Sequence, residues 1–328
     1  MRFVVALSLL ALTVCAAAYW WAVAQPLHVP PGGYALSVKP GATLRSVARD
    51  LAAADVLPAD WTLVALGRLT RADRAIKAGN YEIDSGTTLA RLLAKLTQGD
   101  VSQSSIAIVE GWTFRDLKAA LRNDAKIVKR VIDLPDADLM HSIGAAEPAP
   151  EGLFFPDTYF FADGSTDAAL LSRAYRTMQG RLAAAWASRD PGLPLASPYE
   201  ALTLASIVEK ETGRAADRPL VAAVFINRLK LGMRLQTDPA VIYGIGERFD
   251  GNLRKSDLEK DHAFNTYVRA GLPPTPIALP GHAAIDAVLH PPDVPYLYFV
   301  ARGDGSSEFS SNIADHNRAV AKYQRGGR

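Results

Sequence analysis

Two glutamates, Glu209 and Glu211, stand near the end of the segment LTLASIVEKET, residues 202–212. The segment begins as a helix should. Ser197, Pro198 and Glu200 make a capping-box start with proline at the first helical position, and Gly213 is a stop. At about 100° per residue, Ala201, Leu204, Ala205 and Val208 form one apolar face. Glu209 falls on one shoulder of that face and Glu211 on the other, while Thr203, Ser206 and Lys210 are expected opposite. Both carboxylates then point toward partly apolar surroundings at the negative end of the helix dipole. Burial and dipole both disfavour the anion and raise the pKa. A carboxylic acid that keeps its proton near neutrality is what a general acid needs to cleave a glycosidic bond. The competing reading is that one or both glutamates pair with Arg214, Arg218 or Arg228.

The segments that follow supply further polar groups. RPLVAAVFINRLKLGM (218–233) reads as a second helix. RLQTDPAVIYGIG (234–246) places Gln236, Thr237 and Asp238 in a turn before Pro239. NTYVRAGLPPTPIALPG (265–281) is a proline-rich loop, long and stiff enough to wall a groove. The chain closes with a strand, a glycine-rich hairpin turn and a helix carrying His316 and Asn317.

Upstream, residues 34–83 read as a compact βααβ unit. YALSV and AGNYEI are its strands, and Leu44, Val47, Ala48 and Leu51 form one helix face at i, i+3, i+4 and i+7 after the N-cap Thr43. The opening V.PGATLRSVARDL is similar to that of LysM glycan-binding modules. A helix over 87–99, a strand over 105–111 and a helix over 113–122 follow. Residues 123–150 carry no strong signal. EGLFFPDTYFF (151–161) reads as an ordered loop packed by its rings, with Phe154 and Phe155 in the core and Tyr159 assigned neither to the core nor to a sugar platform.

The uncharged run FVVALSLLALTVCAAAYWWAVA (3–24) is long enough to span a bilayer, with Arg2 before it and Tyr19, Trp20 and Trp21 near its far end. A cleaved signal peptide competes. The length of the run and its bulky tryptophans favour an uncleaved anchor. QPLHVPPGGY (25–34) is then a linker. With one cysteine, no intrachain disulfide is possible. The six histidines show no HExxH spacing, so neither a metal nor a cofactor is expected. A net charge of +2 without a basic stripe argues against nucleic acid.

The blocks EGWTFRDL, EGLFFPDTY, ASIVEKET, VFINRLKLGMRLQTDP, NTY…GLPPTPI…PG, HP…YLYFV and F…N…HN, taken together and in this order over roughly 105–320, resemble the MltG/YceG-like endolytic murein transglycosylases. The anchor and the LysM-like unit match that family's layout. The resemblance implies an α+β fold: an N-terminal transmembrane helix (1–25), a linker (26–33), a small LysM-like βααβ subdomain with its connecting helix (34–100), and a mixed α+β catalytic domain (101–328). It implies a single-pass protein of the inner (cytoplasmic) membrane whose catalytic part, in the periplasm, cuts nascent glycan strands beside the synthases that make them.

The family's catalytic glutamate is the first of the VEKET block, here Glu209. Gln236, Thr237, Asp238, Asn265, Tyr267 and Asn317 match blocks that line the family's site, and Glu211 becomes a groove or structural residue. In such an enzyme the MurNAc 6-hydroxyl is the nucleophile, and the product ends in 1,6-anhydroMurNAc. A peptidoglycan hydrolase with Glu211 or Asp238 assisting, and a non-catalytic wall-binding scaffold, are the alternatives.

Overall fold

The computed structural model describes residues 13, 20, 24–30, 33–39, 41–99 and 103–325. The chain divides into two compact units, one formed by residues up to Ser105 with Phe160–Gly164, the other by Ile106–Tyr159 and Ser165–Arg328.

In the first unit, β1 (Tyr34–Val38), α1 (Leu44–Ala53), α2 (Asp60–Leu69) and β2 (Gly79–Ile83) form the βααβ arrangement, β1 and β2 pairing antiparallel from Tyr34↔Ile83 to Val38↔Gly79. The Thr43 hydroxyl caps α1 by accepting the Ser46 N–H. Leu44, Val47, Ala48 and Leu51 are buried as their spacing predicts, against Leu63, Tyr81 and Ile83. α3 (Leu89–Gln98) starts at the capping Thr88 and ends at Gly99 in the left-handed conformation. Its leucines 89, 92, 93 and 96 complete that core.

β3 (Gln103–Ala107) leads to α4 (Phe114–Asn123), which opens on a capping box between Thr113 and Asp116. α5 (Asp136–Ser142) follows. The aromatic segment 151–161 ends as a strand, β4 (Thr158–Ala162), which pairs with β3, rather than as loop throughout. Pro156 falls just outside it, where no ladder donor is needed. Phe154 and Phe155 are core, and so is Tyr159, whose hydroxyl donates to the Phe155 carbonyl at 2.8 Å.

α6 (Asp167–Ala187) carries no strong periodic signal but buries Leu170, Leu171, Ala174, Met178 and Leu182. The Asp167 carboxylate, fully buried, takes the backbone N–H groups of Arg130, Val131 and Ile132, an arrangement that accounts for a charge at that depth.

The centre of the second unit is α7 (Pro198–Glu211). α6, α8 (Arg218–Lys230), α9 (Asp238–Ile245) and α11 (His282–Leu289) pack on it, a short helix α10 (Lys255–Glu259) lying between the last two in sequence. β5 (Tyr298–Ala301) and β6 (Ser307–Ser310) form an antiparallel hairpin, and α12 (Ile313–Val320) closes the chain. α7 is buried on all sides from Ala201 to Val208, so Thr203 and Ser206 do not face solvent as expected. Their hydroxyls bond inside instead: Thr203 donates to the Tyr199 carbonyl, and Ser206 donates to the Thr203 carbonyl and accepts the Ile277 N–H. The capping box is half formed. Ser197 accepts the Glu200 N–H, while the Glu200 carboxylate takes the Ala196 N–H rather than that of Ser197.

The expected N-terminal transmembrane helix is corrected here. Among the described residues no helix is long and apolar enough to cross a membrane. The longest, α6, has 21 residues but carries Asp167, Arg173, Arg176 and Arg181, which a hydrocarbon core does not accept. The run 3–24 lies almost wholly outside the described residues. The described fold is mixed α and β with no membrane-spanning helix among the described residues, so it does not support the expected inner-membrane placement.

Candidate active site

The two glutamates that end α7 are two residues apart and so about 200° apart around the helix. They enter different surroundings.

Glu209 is half-buried. Its Oε2 accepts the Gly281 N–H at 2.9 Å, at the residue that opens α11. A Cβ on Gly281 would stand 1.9 Å from Glu110 Oε1, so the Glu110 side chain occupies the space that any other residue at 281 would fill. Gly111 completes the corner. Its φ of +77° favours glycine, and a Cβ there would lie 3.9 Å from Glu209 Cγ. The loop is held in place by the main chain: Gly111 N–H donates to the Leu279 carbonyl at 2.9 Å, and Leu279 N–H to that of Trp112 at 2.7 Å. Lys210 Nζ donates to the Gly111 carbonyl at 3.1 Å.

Burial raises the Glu209 pKa, and the Glu110 charge adds to the rise. The Gly281 N–H and the Arg218 and Lys210 cations oppose it. Arg218 exerts its charge from a distance, without an ion pair to Glu209 among the described residues.

Glu211 points to the other side. Its Oε1 accepts the Thr237 hydroxyl, and burial lifts its pKa to about 7. Thr237 is fully buried at the start of α9 and spends its hydroxyl on Glu211 instead of capping that helix. Its N–H goes to Thr266 Oγ1 at 3.0 Å. The Tyr267 hydroxyl donates to Asp238 Oδ1 at 2.5 Å. Gln236 has φ +52°, unusual for a residue with a side chain, and presents that side chain outward.

Asn265 is fully buried. Its amide donates to the carbonyls of Asp257, Leu258 and Lys260, and its oxygen accepts the Tyr267 N–H at 2.9 Å. Asn317 is exposed on α12. Thus Glu211, Thr237, Asp238 and Tyr267 are brought together, Asn265 braces Tyr267, Gln236 is exposed beside Thr237, and Glu209 stands on the opposite shoulder.

Several groups at the site were not singled out in the sequence. Glu110 and Gly281 lay inside quoted blocks, EGWTFRDL and the PG that ends the proline-rich loop, but spacing gave no reason to join them across 171 positions. Arg228, weighed only as an ion-pair partner, donates to the carbonyls of Leu297 at 2.7 Å and Leu235 at 2.6 Å and lies over the Tyr298 ring. Burial lowers its pKa. His316 stacks on the same ring, centroids 5.1 Å apart. Glu151 is buried, accepts the Phe114 N–H at 2.9 Å and the Tyr243 hydroxyl at 3.1 Å, and is pushed up to about 7 by burial.

A carboxylic acid fixed by a main-chain donor, with its proton held by burial and a neighbouring anion, can protonate a leaving oxygen and afterwards take a proton back.

Residues 36–322 match the model of the YceG-like family. An endolytic murein transglycosylase of Bacillus subtilis is 34% identical over 264 residues, which cover 75% of this chain and 73% of that protein. One of Streptococcus pneumoniae is 28% identical over 285 residues, covering 76% of this chain and 51% of that protein, so the chain spans about half the length of that relative. The crystal structure of a yceG-like protein from Listeria monocytogenes is similar at TM-score 0.55 and 27% identity, over 87% of this chain and 98% of that one.

Proposed function

The chain belongs to the YceG-like family and is an endolytic lytic transglycosylase of murein; we propose that it works through Glu209, first as general acid and then as general base. Glu209 gives its proton to the bridging oxygen of a MurNAc–GlcNAc bond as the bond from MurNAc C1 breaks. The MurNAc 6-hydroxyl attacks C1, and its proton passes to the Glu209 carboxylate. One glycosidic bond is lost, one internal C1–O6 bond forms, no water is consumed, and Glu209 returns protonated. The product ends in 1,6-anhydroMurNAc.

The observation that carries this reading is the setting of Glu209: half-buried, anchored on the Gly281 N–H, its pKa raised. Glu211 is the poorer acid for an incoming sugar, because its carboxyl faces Thr237, which is itself fully buried. Gln236, with its outward side chain, and the Tyr267–Asp238 pair are offered as sugar contacts, with Asn317 at the edge. Thr237 and Asn265 hold those groups in place. The βααβ unit serves as a LysM-like module for the glycan strand.

Glu110 gives a second reading some weight. Hydrolysis needs two carboxylates, and Glu110 lies against the residue that holds Glu209. Mass spectrometry of the cut strands separates the two. Ends lighter by one water than hydrolytic ends establish the transglycosylase, and reducing ends establish the hydrolase.

A further inference from the structure

A groove of about 1390 Å³ opens in the second unit beside the end of α7, and Lys210, the residue after Glu209, lines it. Along one wall Arg115, Lys118 and Arg122 stand at i, i+3 and i+7 on α4, which sets them in a row on one helix face. The rest of the lining mixes apolar groups, among them Pro150, Pro239 and Ile242, with the carboxylates of Asp136, Glu151 and Glu247. Each cation of the row meets a carboxylate: Arg115 meets Glu247 at 3.4 Å, Lys118 meets Asp136 at 3.1 Å and Arg122 meets Asp133 at 2.8 Å. Those carboxylates are half or more exposed, Glu247 by 83%. The Arg115 and Arg122 pairs are exposed on both sides and contribute little, whereas Lys118 is itself only 16% exposed.

Row and apolar wall together suit a short peptide with small apolar side chains and free carboxylates. Murein strands carry such peptides as stems on their MurNAc residues. Resting on the reading of Glu209 as the acid that cuts these strands, we propose that this groove is a subsite for the stem peptide, with Arg115, Lys118 and Arg122 taking its carboxylates. The enzyme then selects strands that still bear their stems. Glu151 and Tyr243 also line the groove, where Glu151 is buried and accepts the Tyr243 hydroxyl.

The test uses the full chain and two substrates: strands with stems intact, and the same strands stripped of their stems by an amidase. The quantity read is the ratio of kcat/KM for the two. A ratio of at least about fivefold in favour of stems is expected, from three charge contacts of modest strength, and raised salt should lower it. In Arg115→Gln/Lys118→Gln/Arg122→Gln the ratio should fall toward one. A wild-type ratio of one overturns the subsite even if folding of the variant fails, and so does a preference that the triple variant keeps. Cleavage of neither substrate would overturn the enzymatic reading and the subsite with it.

Discussion

Glu110 and Glu209 meet at one residue, Gly281: the Glu209 carboxylate takes its N–H at 2.9 Å, and Glu110 Oε1 lies 1.9 Å from where a Cβ would stand. The glycine lets a second negative charge approach the acid. That charge and burial work in the same direction on Glu209.

The acid must be protonated to cleave, so activity falls as pH rises through its raised pKa. Glu110→Gln removes one of the causes of that rise and lowers the Glu209 pKa. The alkaline limb of the pH–rate profile should therefore move to lower pH. Superimposable profiles would show that Glu110 does not act on Glu209.

Gly281→Ala should give the same displacement by another route. The φ of Gly281 is −78°, so alanine is tolerated by the backbone. The new methyl would push the exposed Glu110 side chain aside. We expect a change in stability within about 1 kcal/mol, read by thermal melting, together with a lowered alkaline limb. An unchanged profile in a well-folded variant would contradict the arrangement.

Glu151 makes stability depend on pH. Its folded pKa is raised to about 7, above the ordinary carboxylate value. The neutral acid therefore contributes fully below that ordinary value, and the contribution is lost as pH rises toward 7 and above. At most roughly 3 kcal/mol is involved. Glu211, also lifted to about 7, adds in the same direction. Denaturant melts should show stability declining from pH 5 to pH 8. Glu151→Gln keeps the acceptor for Phe114 and can donate to the Tyr243 oxygen, so its decline should be shallower and its stability at pH 8 higher than that of wild type.

Asn265 braces the turn that carries Tyr267. Asn265→Ala leaves three part-buried carbonyls without their donor and should cost about 1–3 kcal/mol. The melting temperature should drop by several degrees, while glycan affinity well below the transition stays near that of wild type. A stable variant with lost affinity would instead make Asn265 a sugar contact.

What was legible in the sequence was whatever local rules decide. The caps Thr43 and Ser197, the helix end at Gly99 and the buried face of α1 follow from residue type and spacing. α6 was missed because its apolar residues are diluted by alanine and arginine around the helix. Ser206 and Thr203 were misplaced because periodicity cannot see that α7 is enclosed on every side. Glu209 stood out because a carboxylate at the end of an apolar helix is costly, whereas the approach of Glu110 depends on tertiary packing around a glycine. The bilayer-length run at the N-terminus was read from composition alone, and no membrane-spanning helix stands among the described residues.

The central claim is that Glu209 carries the proton, and Glu209→Gln tests it most directly. The variant keeps the shape and can still accept the Gly281 N–H through its amide oxygen, but has no proton to give. Turnover of murein strands, followed by the appearance of anhydro ends, should fall by about 10² to 10⁴-fold, with strand binding and the melting temperature close to those of wild type. Turnover near the wild-type rate in a folded Glu209→Gln protein would contradict the account.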